Sequence, residues 1–560
     1  MTPTIPANLN PVQPANPEYA QHVLARLTDF CQVDGVLWTR RLWDIGSILT
    51  LEELWESVSW QSRKVISGSA IDWQRHQLAR LLGPDLGMGD KALRREMVQL
   101  LDSDTLTDPS PGHRRLRELI DHARDGYLDR WADRVAEGAQ VKPERLARTL
   151  AAHLLDLGYT AQFLGTQWLS GLRSKNTHTE AIIASAAGLA RIPPRNFHVL
   201  LLLNSIPNRS SAENTPDWLN NSEVINWLKR EGHSTSGVRA QGGFLYRISA
   251  QDHHGAADKA RQLFERIVAR SRFSRRYRGQ VTASPTLWVS GHPEPLPLVG
   301  PARHADVLSL AHQGQLYDVA RPRNPVDDAL ELASPVNQTG APGTALAGAW
   351  AAIESLLCHP GDPIPAGERS GKAVAADRLA AIVACSWPRA ELTTLVRRHG
   401  RKDEMDELSE RRDVCTTSRA QALVLFDEIT RNGVANLRFH GRTRHGDQVA
   451  AQRLAACVAE PKRVVGELTA AVRITLRRLY RARNIVLHGG STSSVTLDAT
   501  LRTAAPLLGA GLDRIAHAYF GEGLGPLELA ARAELAKTLV GENTGLTLVD
   551  LLRKRGAAAA

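Results

Sequence analysis

The chain has 560 residues, 43% of them hydrophobic, and a formal net charge of +10 with a sequence pI near 9.5. That length is enough for about three or four domains with real cores, and the arginine-rich excess favours polyanionic partners while saying nothing about fold. Five widely spaced cysteines with no CxxC pair exclude a disulfide framework or a zinc knuckle as the organising element and suit a reducing compartment. No signal-peptide pattern opens the chain, and apolar runs such as residues 199–203 are too short to span a bilayer, so a soluble, cytoplasmic protein without membrane attachment is expected.

Residues 1–16, rich in proline and asparagine, read as a disordered tail. A helical domain is expected over 17–175, with helices at 19–30, 91–101, 114–135 and 143–157. Pro143 suits a first helical turn and Gly158 a stop. A second helical stretch follows through Phe163, Leu164 and Trp168. Such a pair reads either as a DNA-binding helix-turn-helix, which would make the chain a regulator, or as ordinary packing.

Over 176–300 the pattern changes to a small α/β domain or α+β sandwich. Strands are expected at 197–206, 243–249 and 286–290, and helices at 218–229 and 255–269. Asp252, His253 and His254 invite a metal reading, but adjacent histidines rarely face one ion and no third ligand is evident. Asp252 is therefore read as a helix cap, with no metal and no cofactor expected. Arg266, Arg270, Arg272, Arg275, Arg276 and Arg278 form a basic cluster with Phe273 and Tyr277 interleaved. Arginines with aromatics can hold single-stranded RNA through phosphate contacts and stacking, and a solvated surface has the same composition.

Residues 301–324 read as a linker, and 325–555 as a helical bundle. Helices are expected at 344–357, 372–384, 387–398, 416–430, 446–459, 462–487, 499–519, 526–539 and 546–554, with loops at 359–371 and 437–446. The chain as a whole is thus expected to be multidomain and mainly α.

The 462–487 helix ends in Arg483-Asn484-Ile485-Val486-Leu487-His488, followed by Gly489-Gly490. Val472, Leu476, Leu479, Ile485 and Val486 form its buried stripe, leaving Arg473, Arg477, Arg478 and Arg481 on other faces. Asn484 and His488 share a face, whereas Arg483 and His488 lie about 140° apart around an ideal helix. One helix is therefore expected not to focus both on one atom, and two copies facing each other would. Histidine can move protons near neutrality and arginine can neutralise a phosphorane, so the residue types suit metal-independent RNA cleavage by the 2′-hydroxyl. The plain alternative is a histidine capping a helix C-terminus. His440, in Arg438-Phe439-His440, is a rival without the helical setting.

On these residues the region 325–520 resembles the HEPN superfamily, in particular its Apea-like ribonuclease branch. Arg483, Asn484 and His488 match the family signature, and residues 479–489 resemble its Tyr, Arg-polar, His-Gly line. Residues 349–357 resemble its early helix, where Glu354 stands at the acidic position, and residues 377–380 resemble its next helix. The resemblance implies a helical bundle that dimerises to form an RNA cleft, with Arg483, Asn484, His488 and Glu354 as the catalytic set and Arg477, Arg478 and Arg481 as RNA-binding neighbours. It further implies a bacterial antiviral-defence or toxin effector, a homodimer or higher homo-oligomer, and control by the N-terminal domains through a phage-derived or nucleotide activator. Some relatives only bind RNA or scaffold a partner.

Overall fold

The computed structural model describes residues 17–553 except 104–105, 174–176, 239–240, 275–279, 339–340, 365–370, 401–405 and 543–544. The chain is mainly helical and multidomain, with one small antiparallel sheet between two helical regions. Among the described residues no helix is long and apolar enough to cross a membrane.

The N-terminal region contains α1 (Pro17–Cys31), α2 (Ser47–Ser62), α3 (Gly68–Leu82), α4 (Lys91–Asp102), α5 (Pro111–Arg124), α6 (Tyr127–Ala136) and α7 (Pro143–Asp156). A helical stretch over 161–173 with a π turn at Leu164–Trp168 follows, then α8 (Thr179–Ala190). Ser67, Asp90 and Ser110 each accept a backbone N–H three residues on, which fixes the starts of α3, α4 and α5. The single helix expected over 114–135 is two, because Gly126 takes φ +63° between them. Ile182, Ile183 and Ala186 of α8 pack in the same core as Leu27, Leu54 and Trp131, so this helical core extends beyond residue 175.

The sheet comprises β1 (Arg195–Ser205), β2 (Trp218–Leu219), β3 (Gly242–Ala250), β4 (Thr282–Val289) and β5 (Leu296–Pro297), in the order β2-β3-β1-β4-β5 with every pairing antiparallel. Its longer helices are α9 (Asn221–Arg230) and α10 (His253–Phe273), and a five-residue helix spans Arg209–Glu213. Both faces of β1 are covered, which explains an unbroken apolar run in an antiparallel strand. Leu200 and Leu202 meet Val224 and Trp227 of α9, while Val199 meets Ala256 and Ala260 of α10. Asp252 caps α10 through the Gly255 N–H at 2.8 Å, as its position between strand and helix suggested. It also accepts the Thr160 N–H at 2.7 Å, tying the sheet to the N-terminal region.

The C-terminal bundle contains α11 (Pro325–Asn337), α12 (Pro342–Leu357), α13 (Val374–Arg398), α14 (Glu407–Asp413), α15 (Ser418–Asn432), α16 (Arg444–Ala459), α17 (Pro461–His488), α18 (Leu497–Glu522) and α19 (Pro526–Leu539). Two expectations change here. The two helices expected over 372–398 are the single α13, since Pro388 removes one backbone donor without ending the helix. Residues 546–552 form turns rather than a helix, yet Leu548, Val549, Leu551 and Leu552 are all buried. The stretch read as a linker is fastened along α18: the Ser309 N–H donates to Asp513 Oδ1 at 2.7 Å, and Arg321 lies 4.4 Å over the Phe520 ring.

The N-terminal region is plugged into this bundle. Trp43 is buried in the bundle core, and its carbonyl accepts Thr475 Oγ1 of α17 at 2.8 Å. Arg40 is nearly inaccessible and reaches Asp447 at 2.6 Å and Glu391 at 3.3 Å. α17 is the shared wall: Val472, Leu476 and Leu479 enter the bundle core, whereas Ile485 enters the N-terminal core.

Candidate active site

Pro461 opens α17 and Gly489-Gly490 closes it, with Gly490 at φ +66°. The last turn therefore sits at the bundle surface, where Arg483 is partly exposed, Asn484 is nearly buried, and Leu487 and His488 are exposed. Arg483 Nη1 donates to Asn484 Oδ1 at 2.9 Å and lies 3.0 Å from His488 Nε2. This corrects the helical-wheel argument. The Arg483 side chain is long enough to wrap the helix end, so guanidinium and imidazole meet within one chain despite their angular separation.

Glu354, on the last turn of α12, faces them. Its carboxylate accepts Trp350 Nε1 at 2.9 Å, pairs with Lys372 Nζ, and lies 3.9 Å from Arg483 Nη2. The Trp350 ring packs 4.6 Å from the Tyr480 ring, which fixes the two helices where the site needs them. Glu354, Lys372, Arg483 and Leu487 line a cavity of about 580 Å³ that also takes in Cys358 and His359. Burial, then Glu354, pushes the Cys358 thiol up to about 11, so it is not a thiolate nucleophile at neutral pH. Arg378 closes one edge by a two-point pairing with Asp362 at 2.6 and 2.7 Å.

The arrangement has a definite proton logic. A guanidinium only donates, so His488 Nε2 accepts and its proton is on Nδ1. Two cations, Arg483 and Lys372, face one carboxylate, so the cavity has room for one more negative charge.

Other residues expected at the site lie elsewhere. Arg478 and Arg481 are almost wholly buried and share the buried Glu53 of α2, at 2.9 Å for Arg478 and with two donors from Arg481. They are not presented to nucleic acid, because a second helical region covers the face of α17 that the sequence shows only as charged. Burial pushes the Glu53 carboxyl up, but Arg481 and Arg478 outweigh it and hold it below the usual range. Arg477 is paired at two points with Asp377, at 2.7 and 2.9 Å, and lies 4.8 Å over the Trp73 ring. Arg270 and Arg272 are exposed at the end of α10, while Arg275, Arg276, Tyr277 and Arg278 lie outside the described residues. In the 142–170 helix pair, Leu146, Leu150 and Leu154 are core, and Arg148 is engaged by Asp44 and Glu144. His440 is exposed and does not line the cavity. Among the described residues no group of three or more His, Cys, Asp or Glu is arranged to hold a metal ion.

Sequence reading missed Lys372, Cys358 and Asp362, which lie in or beside an irregular loop where periodicity carries no signal. No family model, curated protein or solved structure matches the chain.

Proposed function

We propose that the chain is an endoribonuclease of HEPN type that needs no metal and whose site is built on Arg483, Asn484, His488 and Glu354. The observation that carries the reading is the Arg483–His488 contact at 3.0 Å beside Glu354, on the surface end of a long bundle helix. Phosphate entering the cavity draws Arg483 off His488. That frees Nε2 to take the proton of a ribose 2′-hydroxyl. The 2′-oxygen forms a bond to phosphorus, the bond from phosphorus to the 5′-oxygen breaks, and the leaving oxygen takes up a proton. Arg483 and Lys372 balance charge growing on the phosphoryl oxygens. The products are a 2′,3′-cyclic phosphate and a 5′-hydroxyl, and DNA is spared because it lacks the nucleophile.

Attack and departure occur on opposite sides of phosphorus, so base and acid stand on opposite sides of it. A homodimer supplies the second imidazole from a second His488. Leu487 is 51% exposed and Ile364 is 61% exposed at the same cavity, which suits a surface covered by another copy. The proposed setting is a cytoplasmic defence or toxin effector held in check by the N-terminal helices packed along α17.

The test is total RNA and an all-deoxy oligonucleotide incubated with the protein in EDTA. The wild type cuts RNA alone, and His488→Ala and Arg483→Ala do not. Cleavage by His488→Ala at the wild-type rate overturns the proposal. RNA binding without cleavage by any of the three proteins establishes the scaffold reading instead.

A further inference from the structure

A second and larger cavity, about 1150 Å³, lies at the junction of the N-terminal region and the bundle, walled by parts of the chain that are far apart in sequence. Residues 36–41 form one side, the 304–313 segment another, and α13, α18 and the turns at 549–553 the rest. Its volume lies just above the range usual for small-molecule sites, about 300–1,000 Å³. None of its walls belongs to the cavity beside His488.

Arginines dominate the charge of this cleft. Arg389 lines it from α13 and makes no hydrogen bond or ion pair among the described residues; it feels the like charges of Arg514 and Arg419 and, at longer range than an ion pair, the carboxylates of Asp550 and Glu522. The other two are already engaged, Arg514 by Glu522 at 2.8 Å and Arg419 by both oxygens of Asp550 at 2.7 Å. Arg514 Nη1 is nevertheless buried without a partner. On the opposite wall Arg41 donates Nη2 to the Val33 carbonyl at 2.9 Å, has no carboxylate at ion-pair distance, and leaves Nε buried and unpaired. Of the carboxylates in the walls, Asp513 is occupied as the cap on Ser309, Glu522 meets Arg514 through Oε1 while its Oε2 is buried without a partner, and Asp306 is exposed. Guanidinium groups in a cleft whose carboxylates are already shared among several arginines are stabilised by a bound anion, and their fork matches phosphate oxygens. For Arg389, burial and then Arg514 disfavour the charged form, a penalty that phosphate removes.

Two further features suit a planar group. Trp38 lines the cavity and is backed by the Trp43 ring at 6.1 Å, which gives a fixed aromatic face. His304, also in the wall, holds φ +59°, a left-handed conformation that side chains other than glycine rarely adopt and that concentrates at binding sites.

From the unpartnered Arg389, the half-paired Arg514 and the Trp38 face we infer that this cavity binds a nucleotide, its phosphates on Arg389, Arg514 and Arg41 and its base against Trp38. The site does not depend on chemistry at His488. α13 connects the two regions physically: Asp377 near its start holds Arg477 of α17, and Arg389 lies on the order of 18 Å further along the helix axis.

The experiment is calorimetric titration of the full chain with ATP, GTP and UTP, with adenosine and pyrophosphate as separate arms. At least one nucleotide binds, and adenosine and pyrophosphate bind at least tenfold more weakly. Arg389→Gln weakens nucleotide binding tenfold or more with a melting temperature of the free protein no lower than that of the wild type, and Arg41→Gln on the other wall weakens binding likewise. Arg483→Ala leaves binding intact. The inference is overturned if none of the three nucleotides binds, if pyrophosphate binds as tightly as they do, or if Arg483→Ala abolishes binding while Arg389→Gln does not.

Discussion

Arg483 and His488 stand five positions apart on one helix, yet Arg483 Nη1 and His488 Nε2 are 3.0 Å apart. The contact holds the imidazole with Nε2 as acceptor, the form a proton-abstracting base requires. It follows that the two residues act as a unit. Replacing His488 with alanine is expected to lower RNA cleavage by about 10²–10⁴-fold, the usual worth of a positioned acid or base. Arg483→Ala is expected to lose a similar amount, and the double variant little more than either alone. Single-turnover rates on a labelled RNA measure all three, and losses that multiply would show that the residues act independently.

Glu53 is the only carboxylate within ion-pair distance of the buried Arg478 and Arg481 among the described residues. Glu53→Gln keeps the shape and removes the charge, leaving two buried guanidinium groups uncompensated. A loss of about 3–5 kcal/mol is expected for breaking such a buried pair. Urea titration followed by tryptophan fluorescence reads it, and an unchanged midpoint would mean that the triad carries no net energy.

His153 is buried against the Tyr127 ring at 4.7 Å, and burial, with Arg124 adding to it, pushes it down to about 4 from 6.5. The folded state therefore binds a proton less readily than the unfolded chain. The stability from keeping this imidazole neutral is fully present above pH 6.5 and is lost as pH falls from 6.5 towards 4. The loss reaches roughly 3 kcal/mol at 1.36 kcal/mol for each pH unit of difference. His153→Phe is expected to flatten this part of the melting temperature against pH. A wild-type profile level between pH 7 and 4.5 would contradict it.

Leu487 lies exposed beside His488 and against the cavity. If a second copy covers this surface, Leu487→Arg lowers the mass measured by light scattering from dimer to monomer and lowers cleavage with it, while the melting temperature holds. A monomeric wild type that cleaves at full rate would remove the two-copy arrangement.

Much of the architecture was legible because it rests on local signals. Pro143, Gly158 and the apolar run 199–203 each act within a few residues, and the helix and strand they mark are present. Asp252 was readable as a cap for the same reason, while its second hydrogen bond to Thr160, 92 positions away, was not. The motif helix and its ending were visible too, as was Glu354 through its place in the early helix. Illegible were the features that depend on which helix covers which. The stripe of arginines on α17 has the composition of a solvated basic face. Only the arrival of Glu53 and Trp73 from residues more than 400 positions earlier converts it into an interface. The reach of Arg483 was misjudged because a helical wheel places Cα directions and takes no account of side-chain length.

Trp43 completes a core whose other members begin beyond residue 300, and Arg40 neutralises two carboxylates of that same bundle. Order of synthesis then matters. The ribosome makes this plug first and the motif helix several hundred residues later, so the bundle closes around a piece already waiting for it. A fragment started internally or clipped near residue 60 would carry every residue of the proposed catalytic set, but with a hole where an indole belongs and two buried acids each short of one arginine, Asp447 left with Arg398 and Glu391 with Arg453. Removing the front of the chain is therefore expected to yield an unstable bundle and not a freed form of the proposed nuclease.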